Sequence, residues 1–163
     1  VWTFRLMTAK ILKVKNKEAL LGAIDLGVAM QLTNISRDVV EDGKRNREYI
    51  KPDFKEIEKT IYLAEKFYDS SFSAIRKIPL RFRFSILVAR RIYRKIGHKI
   101  LKEKTMENYK KAGKIYVNNF GKIIQTILSI FDLINLSLIN SKENFRNKEL
   151  EVINEEININ ERI

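Results

Sequence analysis

The sequence predicts an all-α protein, built as a helical bundle, on three observations. Glycine and proline are scarce, at six and two residues in a chain of 163, so few positions favour turns. Apolar residues recur at helical spacing along most of the chain, and no sustained two-residue alternation indicates a strand. The hydrophobic content of 45% and charged content of 32% are ordinary for a globular domain with a real core.

The N-terminal third is predicted to contain two helices. The chain begins without Met and already in a helical pattern, so we expect an N-terminally truncated bundle, with the first helix ending near Val14. Asn16 is a suitable N-cap for the second helix. That helix is predicted to run to about Asp42, with Gly43 as its natural stop. Residues 44–52 then form a basic loop.

Two further helices are predicted in the middle of the chain. The third follows Asp53 and places Phe54, Ile57, Ile61, Leu63, Ala64 and Phe67 at its apolar positions. Pro79 marks the entry into the fourth helix. Its apolar stripe consists of Phe82, Ile86, Ala89, Tyr93, Ile96 and Ile100.

The last predicted helix runs from about Val117 to Ile139 and is strongly apolar. Gln125, Asp132 and Asn135 interrupt it, and its apolar run is short of the roughly 20 residues that a membrane span requires. We therefore expect a buried core helix, with a helix lying on a membrane surface as the alternative. Residues 1–140 form a single helical domain in this interpretation, and residues 141–163 form a polar tail, either a frayed helix or disordered.

The charge and cysteine content limit the classes of function. A formal net charge of +12 favours an anionic partner, although an AT-biased genome would produce the same excess of lysine. The basic residues are scattered without a recognised DNA-binding motif, so no nucleic-acid partner is predicted. The chain has no cysteine, which excludes disulfides and thiolate metal sites, and it shows no signal-peptide pattern. These features fit a cytoplasmic protein.

One polar face stands out on the second predicted helix. Gln31, Asn34, Asp38 and Asp42 are spaced by three, four and four residues, which places them on the same side. Two carboxylates one turn apart near a helix C-terminus repel each other and the helix dipole, so a cation should offset them. Carboxylate and amide oxygens are hard ligands that suit Mg²⁺.

Basic residues surround this polar face. Arg37 lies within it, and Lys44, Arg45 and Arg47 follow it. Guanidinium groups match the oxygens of a diphosphate, so the arrangement favours a Mg²⁺–diphosphate site. Solvated ion pairs on a surface helix are an equally good interpretation from spacing alone.

A resemblance favours the first interpretation. The segment from Asp25 to Tyr49 resembles the second aspartate-rich motif of squalene and phytoene synthases. The positions that match that motif are Gly27, Ala29, Gln31, Leu32, Thr33, Asn34, Ile35, Arg37, Asp38, Val39, Glu41, Asp42, Arg47 and Tyr49. Gly43 and Asn46 stand where Ala and Gly are usual, and Pro52 comes one residue late.

Looser similarities to the same family continue downstream. Residues 78–81 look like its L-P-x-R turn, and residues 89–96 look like its A-x-x-I-Y-x-x-I helix. Residues 115–117, followed by Lys122, resemble its closing helix. The family's first motif, D-x-x-x-D, has no counterpart before Asp25, so the resemblance implies a C-terminal fragment of an isoprenoid-synthase bundle.

The resemblance also implies roles for individual residues. Asp38 and Asp42 would bind Mg²⁺ with help from Asn34, and together with Tyr93 they form the predicted catalytic set. The residues expected to contact the prenyl diphosphate substrates are Gln31, Asn34, Arg37, Arg47 and Tyr49. For Tyr93 the alternative is a core aromatic in a helical stripe, and Tyr49 is an equally plausible packing residue.

The implied reaction is the Mg²⁺-dependent, head-to-head condensation of two geranylgeranyl diphosphates to phytoene, through a cyclopropylcarbinyl diphosphate. The full-length parent would catalyse it, and this chain alone is expected to be inactive. Squalene or dehydrosqualene formation from farnesyl diphosphate is the alternative within the family. A non-catalytic assembly protein and a basic membrane-binding module are the alternatives outside it. Peripheral association with the inner face of the cytoplasmic membrane is a further expectation, and the oligomeric state is left open.

Overall fold

The structure is a computed structural model that describes residues 17–138. The described part contains five α-helices and no strand, which confirms the all-α prediction. The helices are α1 (Lys17–Lys44), α2 (Phe54–Ala74), α3 (Leu80–Leu101), α4 (Met106–Ala112) and α5 (Asn119–Leu138), and a single 3-10 turn (Ile75–Lys77) follows α2. The predictions for the first helix, the Asn16 cap and the 141–163 tail lie outside the described residues.

Helices α1 and α2 form an antiparallel hairpin. Ser70 donates a 2.7 Å hydrogen bond to Asp25 near the start of α1, whereas Val39, near its end, packs in one cluster with Phe54 and Ile57 from the start of α2. Helix α2 follows Asp53 as predicted, and Asp53 caps it, since its Oδ1 accepts from the N–H of Lys55 at 3.4 Å.

Gly22 allows α1 and α2 to approach each other closely at the open end of this hairpin. A Cβ built on Gly22 would lie 2.1 Å from the Cβ of Ala74, far inside van der Waals contact. The two backbones can approach this closely only because residue 22 has no side chain.

The core is divided between two main clusters, and α3 packs against both. Ile57, Ile61 and Ile100 belong to the first, with almost no exposed surface. Phe67 and Tyr68 belong to the second, beside Ala29 of α1. Burial of one such side chain contributes about 1.5–3 kcal/mol. These clusters hold α1 in place with its polar face turned away from α2.

Two details of the predicted elements were wrong. Leu63 is 36% exposed and is not part of the core. Helix α1 continues through Gly43 and ends at Lys44, where the carbonyl of Asp42 accepts from the N–H groups of Arg45 and Arg47, both at 2.9 Å, and closes the last turn. The residue with a positive φ at this helix end is Asn46, at 54°, where the motif that this segment resembles usually has glycine. Asparagine tolerates this left-handed conformation better than most residues, which explains the departure.

Helix α4 was missed because it is only seven residues long. The side chain of Thr105 caps it by accepting from the N–H of Asn108 at 3.2 Å, and Gly113 ends it with a φ of 65°. A capping threonine followed by a glycine was the available signal. The helix buries one large side chain, that of Tyr109, against α1.

The largest correction concerns α5, which is not a buried core helix. Its inward side is mostly polar and consists of Gln125, Ser129, Asp132 and Leu136. Its apolar side points outward, with Phe120 71% exposed and Phe131 58% exposed. The physical reason is that α3 presents Arg91 to α5, and Arg91 forms a two-pronged ion pair with Asp132.

In the described residues, α1 and α5 are the two helices long and apolar enough to cross a membrane by length and composition alone. Half of the apolar window in α1 is buried inside the protein, against 17% of the window in α5. Core helices of soluble proteins pass the same test, so this is weak evidence for a span.

Candidate functional site

The polar side of α1, formed by Gln31, Asn34, Asp38 and Asp42, is half-buried along its length. All four residues belong to one continuous helix, so the periodicity inferred from the sequence places them on one side. The buried neighbours Thr33, Ser36 and Val39 occupy the other sides of the helix. Thr33 lies 3.0 Å from the hydroxyl of Tyr68 and ties α1 to α2 behind the polar side.

Asp38 is held by the adjacent Arg37. The guanidinium donates from Nε to Oδ1 at 2.9 Å and from Nη2 to Oδ2 at 2.8 Å. The hydrogen bond from Arg37, assisted by the charge of Lys114, holds the pKa of Asp38 below its usual range. The same bond raises the pKa of Arg37. Both groups are therefore charged at neutral pH, with side chains about one-fifth exposed.

A lysine from a distant loop completes this charged cluster. Lys114 Nζ lies 2.9 Å from Glu41 Oε2 and 3.7 Å from Asp38 Oδ1. Neither Lys114 nor Glu41 was singled out as a site residue. No local pattern could have identified Lys114, because it is separated from Glu41 by 73 positions in the chain.

Tyr109 supports the helix beneath Asp38. Its buried hydroxyl lies 2.9 Å from the carbonyl oxygen of Ser36 and 2.6 Å from that of Arg37, to which it donates. Burial, with the nearby Asp38 carboxylate, raises the pKa of Tyr109 to about 12. This contact fixes α4 to the middle of α1 and was also missed from the sequence.

Asn34 is an unusual group on the polar side. Its Oδ1 is buried and has no hydrogen-bond partner among residues 17–138. An unpaired buried acceptor costs about 1–3 kcal/mol. Because Asn34 precedes Asp38 by one helical turn, this oxygen is an available acceptor beside the ionised carboxylate.

Three of the predicted site residues meet at the C-terminal end of α1. Asp42, Arg47 and Tyr49 line one small cleft of about 50 Å³, together with Ile35 and Pro52. Tyr49 is 61% exposed and Arg47 is also on the surface. The loop after Asn46 therefore folds back over the last turn of α1, next to Asp42.

Tyr93 approaches the middle of α1 from α3. It is half-buried and packs against the second core cluster, as do Met30 and Leu32 of α1. Its phenol is close enough to Arg37 to contribute to the raised pKa of that guanidinium. Tyr93 is thus partly a core aromatic and partly a neighbour of the polar side.

The donor set on α1 fits part of a magnesium site. Among the described residues, no group of three or more His, Cys, Asp or Glu side chains is arranged to hold a metal ion. Asp38, Asp42 and Asn34 offer two carboxylates and one amide oxygen, and the Asn34 oxygen is unpaired. Mg²⁺ commonly takes one or two carboxylates and completes its shell with water and phosphate oxygens.

Comparison with known proteins places this site in context. Residues 3–53 match the family model of squalene/phytoene synthase. The 15-cis-phytoene synthase of Enterobacter agglomerans is 33% identical over 117 residues, covering 59% of this chain and 40% of the relative. That of Pantoea ananas is 34% identical over 116 residues, covering 58% of this chain and 38% of the relative. The chloroplastic phytoene synthase 1 of Solanum lycopersicum is 30% identical over 123 residues, covering 63% of this chain and 29% of the relative.

These alignments span at most about 40% of the length of the relatives. No solved structure gave a significant match.

Proposed function

We propose that this chain, whose resemblance to squalene and phytoene synthases extends over residues 3–53, contributes a diphosphate-binding surface to a head-to-head prenyltransferase. The reaction is the condensation of two geranylgeranyl diphosphates to phytoene through a cyclopropylcarbinyl diphosphate. The observation that supports it most is the polar side of α1, where an ionised Asp38 is paired with Arg37 and follows the unpaired acceptor of Asn34 by one helical turn. Relatives named as phytoene synthases favour this product over squalene or dehydrosqualene.

In this proposal Asp38, Asp42 and Asn34 would hold Mg²⁺, which when bound neutralises the diphosphate leaving group. Arg37 lowers the pKa of Asp38 further below its ordinary value, and the carboxylate is ionised at neutral pH. A cation and Arg37 compete for the same two carboxylate oxygens. With a cation on Asp38, the guanidinium of Arg37 would be available to donate hydrogen bonds to diphosphate oxygens.

The other predicted site residues bind and shield the substrate. Arg47, beside Asp42, contributes a second guanidinium for the diphosphate, and Tyr49 closes that end of the site. Gln31 lies at the opposite end of the polar side, and Tyr93 of α3 packs against the same core cluster as Met30 and Leu32 of α1. Apolar groups around Tyr93 exclude water from the prenyl chain, where carbocations would otherwise be captured.

A binding experiment tests the site itself. Mg²⁺ is titrated by calorimetry into the chain in the presence of a non-hydrolysable prenyl diphosphate analogue. We expect saturable binding that is lost in Asp38→Ala and kept in Glu107→Ala, which removes an exposed carboxylate from α4. Binding that ignores Asp38→Ala but disappears in high salt would instead favour a basic binding module. No saturable binding by the wild-type chain would favour a non-catalytic assembly protein.

A separate experiment tests whether this chain is active alone. The sequence contains one of the family's two acidic motifs, so we propose that the isolated chain does not catalyse the condensation. The chain is incubated with geranylgeranyl diphosphate and Mg²⁺, and the extract is analysed for phytoene. Phytoene formation above that of Asp38→Ala would contradict the proposal.

We place the reaction in the cytoplasm, at the inner face of the cytoplasmic membrane, because both the prenyl chains and the product are strongly apolar. The proposal involves no nucleic-acid partner and does not depend on a particular oligomeric state.

A further inference from the structure

The exposed apolar residues of α5 follow a heptad repeat. Six of them are spaced alternately by four and three residues, and they are Phe120, Ile124, Ile127, Phe131, Ile134 and Leu138. All six are between 39% and 74% exposed. An apolar repeat of about 3.5 residues is the pattern by which one helix packs along another helix. We call the surface formed by these six side chains the heptad face of α5.

The heptad face has no partner helix among residues 17–138. Helix α5 contacts α3 through its opposite side, where Arg91 Nη2 donates to Asp132 Oδ1 at 2.6 Å and Leu136 packs in one cluster with Leu87. Turning α5 to bury the heptad face would break this ion pair and leave a buried charge unpaired. The helix-packing pattern of the heptad face is therefore available to a partner from outside the described residues.

The area of this surface matches what a stable protein dimer needs. Ile123 and Ile130 widen the heptad face, so that a sector of about 120° on the helical projection contains no polar residue. Eight side chains that each expose about half of an area on the order of 200 Å² amount to roughly 800 Å². Two copies that cover each other would bury up to about 1,600 Å² in total, which is the usual size of a specific interface.

The charges on α5 do not oppose self-association. The helix contains two charged residues, Lys122 and Asp132. Asp132 is paired with Arg91 on the inward side, and Lys122 projects about 140° away from the middle of the heptad face. The net charge of +12 therefore lies outside this surface, and the surface offers a partner only apolar contacts. A second heptad face is equally apolar and uncharged.

The heptad face is also symmetric along its length. Its six positions form three pairs at equal distances on either side of Ser129, nine, five and two residues away, and these pairs are Phe120 with Leu138, Ile124 with Ile134 and Ile127 with Phe131. When two such helices run in opposite directions, the members of each pair lie level with each other. Both phenylalanines then meet an aliphatic side chain of the other copy.

We propose that the heptad face of α5 packs against the heptad face of a second copy of this chain, in an antiparallel contact whose two-fold axis is level with Ser129. The contact is isologous, so every layer of side chains occurs twice. A parallel pair would place Phe120 on Phe120 and Phe131 on Phe131, with the two helix dipoles side by side in the same direction. This inference is independent of the proposed reaction.

Sedimentation equilibrium tests the proposal with matched double variants. The wild-type chain should form a dimer. Ile127→Gln/Phe131→Gln should raise its dissociation constant at least about tenfold, because symmetry removes four apolar side chains from the centre of the interface. Tyr62→Gln/Leu63→Gln, which removes exposed apolar groups from α2, should leave the dissociation constant unchanged. Since both copies carry a net charge of +12, added salt should strengthen the dimer.

Cross-linking tests the direction of the two helices with single substitutions. The chain has no cysteine, so a short bifunctional maleimide reacts only at the introduced positions. A mixture of Ile124→Cys and Ile134→Cys should give a cross-linked dimer, because these positions are level in the antiparallel pair. Either variant alone should not, since its two thiols lie about ten residues, or about 15 Å, apart along the pair. Cross-linking of each variant alone would overturn the antiparallel arrangement.

Three results would overturn the pairing itself. One is a wild-type chain that stays monomeric at about 100 µM, because interfaces of this size bind at micromolar concentrations or tighter. Another is an equal dissociation constant for the two double variants. The third is a monomer that floats with phospholipid vesicles, which would identify a lipid surface as the occupant of the heptad face.

Discussion

Replacement of Arg91 by methionine should release α5 from the rest of the bundle. Methionine keeps most of the length of the arginine side chain but leaves Asp132 without its partner. The Asp132 side chain is 10% exposed, and the Arg91 side chain is 25% exposed. The variant therefore creates an unpaired carboxylate in a site that water reaches poorly.

The magnitude follows from this burial. Removal of one partner from a buried ion pair costs about 3–5 kcal/mol, and the partial exposure of Arg91 reduces our estimate to about 2 kcal/mol. Such a change raises the equilibrium constant for local opening of α5 by about 30-fold. The α1–α2 hairpin has its own core clusters, so its opening should change much less.

Hydrogen exchange measured by mass spectrometry separates these two regions. Peptides from α5 should exchange about 30-fold faster in Arg91→Met than in the wild type, with little change in peptides from α1. Lys95→Met is the matched control, since it lies one turn further along α3 and has no ion pair in the described range. The double variant Arg91→Met/Asp132→Leu should slow the hydrogen exchange of α5 most of the way back to the wild-type rate, because it leaves no buried charge unpaired. Equal α5 exchange in Arg91→Met and Lys95→Met would refute the role of the ion pair.

Three further predictions concern α1 and its supports. Because burial raises the pKa of Tyr109 from an ordinary value of 10.0 to about 12, this phenol stabilises the fold below pH 10 and loses that contribution as the pH rises through 12. Tyr109→Phe should lower the free energy of unfolding in urea by about 1–2 kcal/mol at pH 7, and this free energy should fall less between pH 10 and 12 than in the wild type. The same fall in both proteins would contradict this prediction. Gly22→Ala should lower the free energy of unfolding by about 1–3 kcal/mol because its Cβ would overlap Ala74. Gly43→Ala, whose Cβ would have nothing within 4 Å, should raise it by about 0.5 kcal/mol. Asn46→Ala should lower the free energy of unfolding by about 1 kcal/mol, whereas Asn46→Gly should not lower it. Equal denaturation midpoints for the two variants would show that the positive φ imposes no strain.

Several parts of the fold and of the site could be predicted from the local sequence alone. The helices α1, α2, α3 and α5 follow from apolar spacing and from the Asp53 and Pro79 boundaries, and each begins within two residues of its predicted start. The polar side of α1 follows from the same periodicity, because residues three and four apart on a helix always share a side.

Other parts depend on contacts that cross the chain. Lys114 and Tyr109 reach Glu41 and Ser36 from more than 70 positions away, so no local pattern indicates them. The end of α1 depended on which residue adopts a positive φ, and this residue is Asn46, three positions after the predicted stop at Gly43.

The sequence by itself determined that α1 presents Gln31, Asn34, Asp38 and Asp42 on one side, because helical geometry is local. It also indicated that α5 is a strongly apolar helix interrupted by Gln125, Asp132 and Asn135. Only the tertiary structure decided which side of α5 faces inward. Arg91 of α3 forms an ion pair with Asp132 on the inward side of α5, and Leu136 on that same side packs in one cluster with Leu87 of α3.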